Sequence, residues 1–152
     1  MLNYTELLLT TYADRSVTLT GKGRDFVFTI HNPEWEGGDI TVTCDEGRLY
    51  VDFLSMNVSL GDQFGEMVET VDELLHDETM LFEIYSHGEN VLSGWRYTDE
   101  IDIDHSIASL IRSLSDGDRS LHREIKAFIA EGDCYCKLRG WRKARNRSII
   151  LS

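Results

Sequence analysis

Between Val17 and Phe53 apolar residues fall at every second position, in short runs separated by turn signals. Val17 and Leu19 alternate with threonine, Gly21-Lys22-Gly23 marks a turn, and Phe26, Phe28 and Ile30 follow. After a longer loop holding Asn32-Pro33 and Gly37-Gly38, Ile40, Val42 and Cys44 alternate with Thr41 and Thr43. Asp45-Glu46-Gly47 reads as a hairpin turn, with Gly47 free to take a positive φ, and Leu49, Val51 and Phe53 form the return strand. Alternation of this kind buries one face of each strand and wets the other. Strands joined by such short turns are antiparallel, because a parallel pair needs a crossover of about a dozen residues. After Phe53 the apolar positions become even: Leu54, Met56, Val58 and Leu60. A strand does not change faces without an extra residue, so a bulge or break is expected near Leu54-Ser55.

Residues 62–76 carry a different period. Phe64, Met67, Val68, Val71, Leu74 and Leu75 make one apolar stripe at helical spacing, with Glu66, Glu69, Asp72 and Glu73 on the wet side. Asp62 is the expected cap. A second hairpin is expected over 79–97, followed by an acidic stretch, Asp99 to Asp104, that alternates like an edge strand. Helices are expected from about Ser106 to Leu114, with Asp104 as a cap, and from about Asp118 to Ala130. A short strand over 148–151 could close the chain. Residues 1–15 leave helix and strand both open. The fold class is therefore α+β: a mainly antiparallel sheet of about five to seven strands with about three helices packed on one face. A chain of 152 residues with a single proline is expected to form one domain, 1–152, ending in a basic segment, 137–152.

Charge narrows the partners. Through residue 136 nine cations stand against 27 carboxylates, a balance of −18, whereas residues 137–152 carry +6. An acidic body repels phosphates and anionic membranes and steers basic proteins toward itself. The first fifteen residues have no basic leader and no long apolar run, so no membrane role and a cytoplasmic setting are expected. Three cysteines, Cys44, Cys134 and Cys136, do not suggest a disulfide framework.

No catalytic motif stands out, and no catalytic residue, metal ligand or cofactor is assigned. The five histidines lack the zinc-protease spacing, and Gly21-Lys22-Gly23-Arg24 has Phe26 where a dinucleotide fingerprint needs its third glycine. No G-x-S-x-G elbow occurs. The segment Asp99, Glu100, Asp102, Asp104 could hold a cation, but its spacing does not fit a calcium loop; a solvated acidic edge is the simpler reading. Cys134-Tyr135-Cys136 lacks the second pair a zinc site needs and reads as buried thiols. The basic tail with Trp141 invites a nucleic-acid reading; the simpler one is that it folds onto the body's own carboxylates. Trp35, in the proline loop, reads either as an exposed protein-contact anchor or as a lid on the sheet.

The run Phe28-Thr29-Ile30-His31-Asn32-Pro33, the helix ending Val71-Asp72-Glu73-Leu74-Leu75, and the strands Leu81-Phe82-Glu83-Ile84-Tyr85 and Leu92-Ser93-Gly94-Trp95 are similar to small bacterial α+β proteins of the toxin-immunity kind. The resemblance spans roughly 26–97 and implies a non-enzymatic protein that neutralises a toxin. It transfers no catalytic residue and does not reach the basic tail.

The expected function is thus a non-enzymatic acidic protein-binding module, an immunity protein being one form of it. Its partner would be basic, a toxin for instance, and its contact residues Asp99, Glu100, Asp102, Asp104 and Trp35. A homo-oligomer is left open. Two alternatives are a site assembled from His105, Asp102 and Asp104, and a nucleic-acid binder using residues 137–152.

Overall fold

The alternating runs become a five-stranded antiparallel meander, as shown by a computed structural model that describes residues 3–152. The chain divides into two compact units, residues 1–75 and 76–152, each with its own sheet.

In the first unit β1 (Val17–Lys22), β2 (Asp25–Ile30), β3 (Ile40–Asp45), β4 (Arg48–Phe53) and β5 (Met56–Gly61) lie side by side in chain order. Phe26, Phe28, Ile30, Ile40, Val42, Cys44, Leu49, Val51 and Phe53 are all buried, while the residues between them face outward. The expected β3–β4 turn forms, with Glu46 and Gly47 both at positive φ, 51° and 84°. The phase change after Phe53 is a tight turn with Leu54 at φ 54°, after which Met56 pairs with Phe53. Of the segment 1–15 that the sequence left open, residues 1–2 lie outside the described residues, and helix α1 (Tyr4–Thr11) lies against β1 and β2; α2 (Phe64–Leu75) lies against β4 and β5. The two helices are linked where the Tyr12 hydroxyl donates to Asp72 Oδ1 at 3.0 Å.

The second unit contains a four-stranded antiparallel sheet in the order β7 (Glu89–Tyr97), β6 (Thr79–Ser86), β8 (Cys134–Arg139), β9 (Arg147–Ile150). Helices α3 (Ile107–Ser115) and α4 (Arg119–Glu131) cover one face of it. Met80, Phe82 and Ile84 of β6 and Cys134, Cys136 and Leu138 of β8 meet Leu110, Ile111, Leu114 and Ile125 there. Burying a side chain such as Phe82 or Leu114 is worth about 1.5–3 kcal/mol.

The α+β, antiparallel architecture agrees with the sequence, but the nine strands among the described residues lie in two sheets. Two segments depart from expectation. The basic segment supplies residues 137–139 of β8, an inner strand that was not expected, whereas the short β9 beside it lies close to the expected closing strand over 148–151. The acidic stretch is not an edge strand: β7 ends at Tyr97, Thr98–Glu100 makes one 3₁₀ turn, and residues 101–104 join no ladder. Local polar groups occupy its backbone. The Ser113 hydroxyl accepts from the Asp102 amide at 3.0 Å, and Asp102 Oδ1 accepts from the Asp104 amide at 3.3 Å. Ser106, not Asp104, caps α3, accepting from the Ser109 amide at 3.1 Å.

Candidate interaction surface

The loop from His31 to Asp39 is built to hold Trp35. Asn32 Oδ1 accepts from the amides of Glu34 and Trp35 at 2.9 and 3.3 Å, a side-chain-closed turn. Asp39 Oδ1 accepts from the Asn32 amide at 2.8 Å, and the Asn32 side chain donates to the Gly38 carbonyl at 3.1 Å. The Trp35 ring folds over Gly38 so closely that a β-carbon there would stand 2.5 Å from ring atom Cε2. Its edge meets the Phe53 ring at a centroid distance of 6.3 Å. Trp35 is therefore half-buried on the end of the sheet and still partly presented, between the exposed Glu34 and Glu36.

A second brace of this loop is not apparent from the sequence. Asp39 Oδ2 lies 3.1 Å from His31 Nδ1, and His31 Nε2 contacts the Thr18 hydroxyl. A carboxylate only accepts, so Nδ1 carries the proton and, in the neutral ring, Nε2 accepts from Thr18. Hydroxyl, imidazole and carboxylate thus follow one another as in a nucleophilic triad. The imidazole and carboxylate are 42% and 41% exposed, and Thr18 sits exposed on the edge strand. Water competes for every donor at such a site, so the bond chain serves to pin the loop to β1. The only signal for it was the alternation that puts Thr18 on the outer face.

Asp99, Glu100, Asp102 and Asp104 lie in the second unit, on the turn after β7. Asp99 and Asp104 line a groove of about 470 Å³ whose other side carries Arg142, Arg145 and Arg147, over a floor that includes Ile101, Ile103 and Leu138. Among the described residues no ion pair within 4.0 Å joins those two walls. Asp102 instead holds His105, Oδ1 to Nδ1 at 2.8 Å. That bond draws the Asp102 carboxyl below its ordinary range and raises the His105 imidazole above its own. His105 is 78% exposed, and Asp102 reaches toward it on a solvent-facing turn. The acidic segment therefore faces cations of its own chain, whereas Trp35 belongs to the other unit.

The basic loop behind that groove is held by Asp77, whose buried side chain accepts from the Trp141 and Arg142 amides at 2.8 and 3.3 Å and from Arg142 Nε at 2.7 Å. On the face of the second sheet away from α3 and α4, buried Glu83 meets Arg139 at 3.4 Å. Beside it Tyr85 and Tyr135 stack at 5.0 Å, and the Lys137 ammonium stands 4.8 Å from the Tyr85 ring. Three of the tail's cations are thus committed to internal partners.

Among the described residues no group of three or more histidine, cysteine, aspartate or glutamate side chains is placed to hold a metal ion. No helix among them is long and apolar enough to cross a membrane. No family model, no curated protein and no solved structure matches the chain.

Proposed function

We propose that this chain is a non-enzymatic module that captures a cationic protein surface, and that residues 1–75 carry the contact. What supports this reading is where the charge resides. Fourteen carboxylates stand against four cations in residues 1–75, a balance of −10, while thirteen against eleven leave −2 in residues 76–152. Ten of the fourteen are exposed: Glu6, Asp14, Asp25, Glu34, Glu36, Asp45, Glu46, Asp62, Glu66 and Glu69. A one-signed field of this kind accelerates encounter with a basic protein, and a rigidly held aromatic at the centre supplies the short-range anchor. Trp35, flanked by Glu34 and Glu36 on a braced loop, has that form. A toxin of basic charge, neutralised by an immunity protein, is one partner of this class.

The test is titration of the full chain with cationic proteins encoded beside its gene. Light scattering reads stoichiometry, and stopped flow reads association at rising salt. A 1:1 complex whose association rate falls steeply with salt is expected. Failure to form a complex, or a rate indifferent to salt, overturns the reading.

A further inference from the structure

The turn between α3 and α4 gathers positive charge. An open groove of about 770 Å³ is lined there by Arg112, Ser115, Gly117, Asp118, Arg119, His122 and Arg123. We infer that this groove binds the phosphoryl group of a small phosphorylated molecule, through Arg112, Arg119 and Arg123.

Three observations carry the inference. First, carboxylates outnumber cations 27 to 15 in this chain, yet among the described residues none lies within 4.0 Å of these three guanidiniums. Among the described residues their hydrogen bonds are few and long: Arg112 donates to the Ser109 hydroxyl at 3.3 Å and Arg123 to the Arg119 carbonyl at 3.4 Å. Second, Arg119 and Arg123 stand four apart on one helix, a spacing at which like charges repel, so the arrangement disfavours the empty groove and favours an anion in it. Third, the platform is fixed. Asp116 takes a left-handed backbone at φ 47° and donates to the Arg112 carbonyl, and Asp118 accepts from the Ser120 and Leu121 amides at 2.9 and 3.1 Å. The helix-start amides are thereby already capped, and the one carboxylate in the groove is engaged in capping. The anion would be held by side chains.

The geometry favours a compact ligand over a nucleic acid. Guanidinium pairs suit phosphoryl oxygens because they donate two parallel bonds. Beyond roughly 8–10 Å salt screens the rest of the molecule, so a small dianion experiences the local arginines. A long polyanion would extend over a chain of net charge −12 and be repelled. The groove volume lies within the range usual for small-molecule sites, about 300–1,000 Å³.

The test uses the full chain with inorganic pyrophosphate as probe, followed by calorimetry and amide chemical shifts, with a single-stranded RNA oligonucleotide in a parallel arm. Saturable 1:1 binding is expected, with shifts centred on residues 112–123. Arg119→Gln combined with Arg123→Gln should weaken it by about tenfold or more, the loss of charge-assisted hydrogen bonds. Arg145→Gln should not weaken it. Both arginines are exposed, so unchanged melting of the double variant confirms an intact fold. Binding no tighter than about 1 mM overturns the proposal. So does binding unaffected by the double variant, or an RNA oligonucleotide binding more tightly than pyrophosphate.

Discussion

Asp77 and Arg142 lie 65 positions apart and meet with Arg142 Nε 2.7 Å from Asp77 Oδ2. The carboxylate is 1% exposed and the guanidinium 56% exposed, so the pair is half solvated and the Coulomb part of its energy is small. The larger share lies in the backbone. Asp77 Oδ1 is the acceptor for the Trp141 and Arg142 amides, and Trp141 is itself buried. Asp77→Ala should therefore cost about 2–4 kcal/mol, mostly through orphaned amides, and Arg142→Ala under about 1 kcal/mol. Urea unfolding measures both. Hydrogen exchange at Trp141 and Arg142 should accelerate in the first variant only, and trypsin should then cut the loop at Arg142 to Arg145.

The Asp102–His105 pair predicts a pH effect. The hydrogen bond from His105 is the largest cause of the lowered Asp102 carboxyl, and the same bond, then the nearby charge, raises His105. The imidazole's contribution to stability is full below its unfolded value near about 6.5 and is lost as pH rises through the higher folded value. The carboxylate's contribution is present above about 3.9 and is lost as pH falls through its lowered folded value. The pair therefore stabilises most between those two limits. Both groups face solvent, so the readout is NMR titration of the His105 ring. It should titrate above an unhindered histidine, and Asp102→Asn should bring it down. An identical titration in the variant removes the bond.

The legible part of this fold is the local part. The β3–β4 hairpin, the break at Leu54 and the stripe of α2 are each decided by residues a few positions apart, and the structure has all three. The basic tail was legible only in part. Cys134, Cys136 and Leu138 alternate with Tyr135, Lys137 and Arg139, but the partner strand β6 lies some fifty positions earlier, so pairing such as Ile84 with Cys136 leaves no local trace. Its charge suggested a segment laid onto the body's carboxylates, while its alternation belonged to an inner strand. The acidic stretch erred the other way. Ile101 and Ile103 alternate with aspartates, yet Ser113 takes the Asp102 amide, a bond set by α3. The Thr18–His31–Asp39 chain joins β1 to both ends of a loop, and proximity of that kind comes from sheet register.

The thiols give a prediction independent of any partner. Cys134 and Cys136 are two apart on one strand, and both point into the core under α3 and α4. Burial, then the neighbouring Cys134, pushes the Cys136 thiol up to about 12, and burial raises Cys134 and Cys44 as well. The thiolate is the reactive form, so the folded chain should be inert to a disulfide reagent at pH 8 and release three equivalents only when unfolded. Fast labelling of the native chain would contradict the packing.

Gly38 tests whether the loop conformation or its charge does the binding. A β-carbon at Gly38 would stand 2.5 Å from Trp35 Cε2 and 2.8 Å from Asn32 Nδ2, so Gly38→Ala must displace the ring from the end of the sheet. The expected cost is about 1–3 kcal/mol, with indole fluorescence from the loop shifting to the red. The substitution leaves every carboxylate in place. If Trp35 anchors a cationic partner, Gly38→Ala and Trp35→Ala should both speed dissociation, by about thirtyfold for a central aromatic, with association nearly unchanged. Glu34→Gln with Glu36→Gln should do the reverse, slowing association and flattening its salt dependence. Equal effects of the two classes on both rates would mean that the loop acts through charge alone, and the aromatic would lose its assigned role.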